Sequence, residues 1–225
     1  MPDVDNEFNY SGKLGHLKTH NFNLKYLGVL SRFQHKKIET KYDLLVLLSG
    51  PEPQRTLLEE KLIKELKNYT GNILFVRGVL DGKTKISVPK NFSVVDYLLS
   101  NELEKAINQS KIVISRSGYS TIMDLAILGK KAFFIPTPGQ FEQEYLSKKL
   151  SKKLITPFTF QQNFNVTKLR DLDKFSGFKI QKNEINLELF NLFQGKWKFR
   201  TFFKFAFNKN LFVMSFNNVF NYRKP

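Results

Sequence analysis

Two short apolar runs, Ile112–Ile114 and Ala132–Ile135, flank a segment in which Ile122, Leu125 and Ala126 recur at helical spacing and Gly129 closes the stripe. Strand, helix and strand in so short a length predict a parallel crossover, which commits the chain to an α/β sheet with helices on its faces. The turn after the first run, Ser115 to Thr121, collects an arginine, a glycine and several hydroxyl side chains at the carboxyl end of a strand. In open α/β sheets ligands gather at such ends, and a helix amino terminus there favours anions. A ligand carrying phosphate is the expectation.

The flanking chain continues the alternation. Tyr42–Leu48 holds an unbroken Leu-Leu-Val-Leu-Leu, as a strand covered on both faces would. Ser49-Gly50-Pro51-Glu52-Pro53 breaks it, and Thr56 with Glu59 forms a capping-box pattern before a stripe of Leu58, Leu62, Ile63 and Leu66. Ile73–Val76 reads as a strand, Lys85–Val88 as a short additional one, and 92–99 as either strand or turn. Asn101 with Glu104 opens a further helix, and Phe141, Tyr145 and Leu150 mark one running to about Lys153. A short helix near Val166–Leu172 and another at Glu184–Phe193 close the domain. The expected fold is a Rossmann-like, doubly wound parallel sheet over 42–195.

Composition narrows the setting. At 225 residues the chain can bury one good core or a domain with an appendage. It has no cysteine, which removes disulfides, thiolate catalysis and thiolate metal sites. No apolar run is long enough to span a bilayer, and the start, Met-Pro-Asp-Val-Asp, is unlike a secretory signal. The cytoplasm is the expected location, including the inner face of the membrane. The net charge of +16 suits contact with phosphate, although a chain rich in Lys, Asn, Phe and Ile also reflects an AT-rich genome. His16 and His20 are four apart, but Gly12, Gly15 and their polar surroundings oppose a helix, so solvated loop histidines are expected rather than metal ligands. Residues 196–225 hold eight of the 23 phenylalanines, seven Lys or Arg and no acidic residue. They read either as a basic aromatic patch for peripheral membrane contact or as a loosely packed extension. No nucleic-acid motif accompanies them, so nucleic acid is not an expected partner.

The run Arg116-Ser117-Gly118-Tyr119-Ser120-Thr121-Ile122-Met123-Asp124 is followed by Gly129-Lys130-Lys131-Ala132, Ile135-Pro136 and Gln143-Glu144. Together with the break at Ser49–Arg55, these resemble the carboxyl-terminal, donor-binding half of a GT-B glycosyltransferase. The type is glycosyltransferase family 28, which includes the UDP-N-acetylglucosamine transferase of lipid II synthesis. Residues 42–153 carry most of the resemblance. Residues 1–41, with Ser11–Leu14 and Tyr26–Arg32, resemble the connector from an amino-terminal, acceptor-binding domain.

The resemblance implies an inverting, metal-independent transfer of a hexosyl group from a nucleoside-diphosphate sugar, with UDP as the expected nucleotide and no cofactor. The diphosphate would meet Arg55, Arg116, Ser117, Gly118, Ser120 and Thr121. Asp124 stands where the family has a ribose-binding glutamate; its alternative is the N3 place of a capping box begun by Thr121. Gln143 and Glu144 stand at a paired-amide position that reaches the donor sugar, with Gln140 and Glu142 beside them; the alternative is an ordinary acidic first turn. No general base is recognisable in the chain, so an acceptor-binding domain or subunit is the expected partner. The alternative function is a non-catalytic subunit that binds a nucleotide sugar or a partner protein.

Overall fold

The computed structural model describes residues 2–16, 24–80 and 86–181. The helix expected at 184–193 and the basic segment 196–225 lie outside them. The sheet has five parallel strands: β1 (Tyr42–Leu47), β2 (Ile73–Val76), β3 (Phe92–Val95), β4 (Ser110–Ser115) and β5 (Lys131–Phe134), in the order β3-β2-β1-β4-β5. The connecting helices are α1 (Gln54–Glu65), α2 (Ser100–Asn108), α3 (Tyr119–Leu128) and α4 (Phe141–Lys152). The strand order reverses between β1 and β4, which makes their carboxyl ends the switch point where doubly wound sheets bind ligands.

Alternation along β1 explains why its sequence is apolar throughout. Leu44 and Val46 face α1, where Leu58, Leu62 and Leu66 cover them, while Leu45 faces Ile107, Ile122 and Leu125 of α2 and α3. The chain therefore has a core on each side of the sheet. Val166–Lys174, expected as a short helix, is a 3-10 segment that sends Leu172 to the α1 side. The close of α3 follows from Gly129, whose φ of 61° is the left-handed conformation of a helix carboxyl cap.

Three local expectations are corrected. Ile86–Val88 forms no strand, while the ambiguous stretch beyond it supplies β3 as an edge strand. Helix α1 starts at Gln54, before the expected Thr56 cap, and Glu59 turns its carboxylate to Arg55 and Arg77 instead of capping. Helix α2 is capped by Glu102, which accepts the Leu99 N–H at 2.9 Å; Glu104 accepts the Gln34 N–H at 2.9 Å and an ion pair from Lys36. In both helices the expected capping carboxylate is claimed by a partner distant in sequence.

The segments before β1 contain no strand or α-helix in their described residues, yet Tyr10, Val29 and Phe33 are buried in the core on the α3 side. Asp3 and Gly28 form an isolated antiparallel bridge. No helix among the described residues is long and apolar enough to cross a membrane.

Candidate functional site

At the switch point a cavity of about 230 Å³ opens between the ends of β1 and β4. Its polar lining is Arg32, Ser49, Ser115, Ser120, Thr121 and Asp124, and Leu103, Ile107 and Leu125 close the apolar side. Each polar group arrives for a separate reason. Ser49 follows β1 and Ser115 ends β4. Ser120 and Thr121 belong to the first turn of α3, whose N-cap is Gly118 rather than Thr121. The capping-box alternative for Asp124 therefore fails, since Thr121 itself holds the N3 place. Asp124 lies one turn further on and faces the cavity.

Asp124 accepts a 2.5 Å hydrogen bond from the Ser31 hydroxyl. Burial raises its pKa to about 6, against the opposing influence of that hydrogen bond and of Arg32. A carboxyl group placed where its charge is disfavoured is a usual mark of a functional site. Two further groups await partners. The Ser115 hydroxyl, lining the cavity, and the Thr137 hydroxyl, on the loop after β5, are buried with no hydrogen-bond partner. Buried polar atoms of this kind call for an explanation, and a ligand supplies one.

The two arginines expected to provide countercharge are placed elsewhere. Arg116 is 2% exposed. Its Nη1 donates to the carbonyls of Ile135 and Pro136, both at 3.0 Å, and its Nη2 to the Gln54 carbonyl at 2.9 Å and Gln161 Oε1 at 2.7 Å. Burial lowers its pKa to about 10. Arg116 thus ties the start of α1, the loop after β5 and the Gln161 turn together. Arg55 is held by Glu52, by Glu59 and by the Arg77 carbonyl. The exposed Arg32, from the segment before β1, is the cation that lines the cavity.

Ser117 is fully buried, donates to the Gln143 carbonyl at 2.8 Å and receives the Ser147 hydroxyl at 2.7 Å, so it joins the α3 turn to α4. Gln143 and Glu144 stand in the first turn of α4 and fold back on the preceding loop. Gln143 Oε1 accepts the Thr137 N–H at 2.9 Å, and Glu144 Oε1 the Gly139 N–H at 3.3 Å. The structure therefore gathers Ser120, Thr121 and Asp124 at the cavity, makes Gly118 the N-cap of the helix that carries them, and leaves Arg55, Arg116 and Ser117 elsewhere in the fold. Ser31, Arg32 and Ser115 were missed by sequence reasoning. Ser115 had a signal, as a hydroxyl ending an apolar strand; Ser31 and Arg32 reach Asp124 only through tertiary folding.

The histidines also differ from a solvated loop. His16 lies 3.5 Å from the buried Asp3 carboxylate and stacks on Tyr26, and His35 Nδ1 is 3.2 Å from the Leu128 carbonyl; His20 lies outside the described residues. Among the described residues, no group of three or more His, Asp or Glu is placed to hold a metal.

Residues 52–184 match the model of the glycosyltransferase family 28 C-terminal domain. The chain belongs to this family. Over 122 residues it is 29% identical to the UDP-N-acetylglucosamine–N-acetylmuramyl-(pentapeptide) pyrophosphoryl-undecaprenol N-acetylglucosamine transferase of Haemophilus ducreyi, covering 52% of this chain and 34% of that protein. Over 108 residues it is 31% identical to the protein of the same name from a Sulfurihydrogenibium species, covering 47% and 29%. The chain thus matches about a third of the length of these family 28 relatives. In fold it is similar to the glycotransferase of kitacinnamycin, with a TM-score of 0.51 and 13% identity over 66% of this chain and 40% of the other. The spinosyn forosaminyltransferase gives a TM-score of 0.50 and 13% identity over 67% and 42%. Membership of family 28 agrees with the parallel sheet and its Rossmann-like winding, and with the motif run from Arg116 to Asp124.

Proposed function

We propose that this family 28 chain is the donor-binding part of an inverting, metal-independent glycosyltransferase that takes a hexosyl group from a UDP-sugar. The observation that carries the reading is Asp124, raised toward neutrality in a cavity at the switch point that also holds the unpartnered Ser115 hydroxyl. A carboxylate there accepts from two ribose hydroxyls. The diphosphate would lie at the start of α3, where the N–H groups of Gly118–Thr121 and the helix dipole meet negative charge. Arg32 would take the countercharge role first given to Arg55 and Arg116, and the Ser115 hydroxyl would gain its partner. Gln143 and Glu144 would meet the sugar after releasing the loop 137–140. As the bond to the anomeric carbon breaks, these fixed dipoles would stabilise the departing UDP.

The acceptor and the base that removes its proton would come from a second domain or subunit, since Asp124, the carboxylate lining the cavity, is taken up by the ribose in this reading. Isothermal titration of the chain with UDP and with uridine tests the donor site. UDP should bind at least several-fold more tightly than uridine, because hydrogen bonds to charged groups are the stronger kind. Equal affinities would remove the diphosphate from the α3 turn. Full transfer by the purified chain alone would remove the need for a second part.

A further inference from the structure

Residues 2–16 belong to no strand or α-helix, yet a buried carboxylate fixes them in place. Asp3 is 0% exposed. Its Oδ1 accepts the N–H groups of Val4 at 2.8 Å and Tyr10 at 3.0 Å; its Oδ2 accepts the Ser11 N–H at 2.7 Å and the Ser11 hydroxyl. A carboxylate so satisfied tolerates burial and organises the turn around it. The Asp3 backbone exchanges two hydrogen bonds with Gly28, at 2.8 and 2.9 Å. Its φ of 140° is one that non-glycine residues rarely adopt. Such a conformation is strained and persists only where the surroundings enforce it.

Two connections run from Asp3 to the cavity and a third to α4. Gly28 leads directly into the stretch that presents Ser31 and Arg32 to Asp124. The Pro2 carbonyl accepts a 2.7 Å hydrogen bond from Tyr119, the first residue of α3, between Gly118 and Ser120. The turn organised by Asp3 also grips α4, where the Lys13 N–H donates to the Tyr145 hydroxyl at 2.8 Å and Lys149 Nζ donates to Asn9 Oδ1 at 2.7 Å. The approach is close at Gly12, where any larger residue would push the Tyr145 and Lys149 side-chain ends aside. Its φ is 55°, and a Cβ there would stand 2.3 Å from the Tyr145 hydroxyl oxygen and 2.7 Å from Lys149 Cε.

We infer that Asp3 is a positioning residue for the donor cavity: it locks residues 2–16 into a strap that holds the start of α3, the flank of α4 and the Ser31–Arg32 pair in register with Asp124. Donor affinity then depends on a carboxylate that touches no donor. The inference rests on the cavity being the nucleotide-sugar site, and its test separates the two claims.

Asp3→Asn keeps the side chain's shape, but turns an amide NH₂ toward N–H donors whichever way it is flipped. Tyr119→Phe removes only the hydroxyl that reaches Pro2. UDP affinity should fall about three- to tenfold in each variant, with the Tyr119→Phe melting temperature unchanged. The second readout is the Asp124 carboxyl titration followed by carbon NMR. Ser31 and Arg32 both lower this pKa, so loosening the strap should move the midpoint upward in Asp3→Asn and, by less, in Tyr119→Phe. A merely structural Asp3 would leave that midpoint alone. If the parent chain binds no UDP, the site reading fails while the titration still tests the strap. An unmoved Asp124 midpoint, or a parent that binds UDP while both variants bind it equally well, would overturn the strap. Should Asp3→Asn not fold, Tyr119→Phe with the same titration decides.

Discussion

Asp124→Asn should melt at a higher temperature than the parent at pH 7.5 and bind UDP about ten- to a hundredfold more weakly. The two effects share a cause. Burial lifts the Asp124 pKa from its ordinary 3.8 to about 6, so the folded state holds this proton more tightly than the unfolded chain does. For a group raised on folding, the stabilising contribution is complete below the unfolded value and is lost as the pH climbs through the folded one. Between about pH 4 and 6 the parent should therefore lose stability that the asparagine variant keeps, and above that the gap should be constant. A shift of this size corresponds to roughly 1–3 kcal/mol, since one pKa unit is about 1.4 kcal/mol. Asparagine still accepts from Ser31 through its carbonyl oxygen, so the neighbouring hydrogen bond survives. What goes is the charged, two-oxygen acceptor, and hydrogen bonds to a charged group are worth about 1.5–3 kcal/mol. Thermal melts from pH 4 to 8, beside calorimetric titration with UDP, measure both halves. A variant less stable than its parent at pH 7.5 would show that burial does not dominate at Asp124.

A group kept where it destabilises the fold connects the family match with the physics. Proteins hold such groups where function needs them. Family 28 membership places the motif, and the raised pKa singles out the residue within it.

The sheet was legible because its strands leave no choice. Leu44 to Leu48 alternates between two buried faces, so it is apolar at every position and reads as a covered parallel strand. Gly129 was legible for a different reason, since a left-handed helix cap selects glycine. Helix starts were less legible, and Glu59 and Glu104 show why. Each sits at the correct spacing from a plausible cap, but a carboxylate goes to whichever donor the fold brings nearest. For Glu59 those donors are Arg55 and Arg77, and for Glu104 Gln34 and Lys36. The same limit explains the arginines of the motif. Sequence places Arg116 beside Gly118, but only the folded loops reveal three backbone carbonyls and Gln161 around its guanidinium. Residues 2–16 show no periodicity because a side-chain carboxylate, rather than a ladder or a helix, collects their N–H groups.

Glu59→Gln should destabilise the domain by about 3–5 kcal/mol, although it changes a single atom. Glu59 is 3% exposed and bridges two buried arginines: Oε2 takes Arg55 Nη1, and Oε1 takes Arg77 Nε at 2.7 Å. The amide cannot compensate two guanidinium groups, and one of its atoms becomes a donor facing a donor. The carboxylates that still face the two arginines, Glu52 for Arg55 and Asp96 for Arg77, have side chains 56% and 38% exposed. Leaving a buried charge without its partner costs several kcal/mol, whereas an exposed pair is worth under about 1 kcal/mol. Against a typical domain stability of about 5–15 kcal/mol the loss is large. Its effect should reach the site, because Arg55 lies in the first turn of α1, next to the Gln54 carbonyl that Arg116 grips. Urea denaturation at low and high salt measures it, and removing one of the two cations that faced Glu59 with Arg77→Met should recover part of the loss. A change below 1 kcal/mol that vanishes in 1 M salt would mean that the cluster behaves as surface ion pairs do, and that α1 is held by its apolar stripe alone.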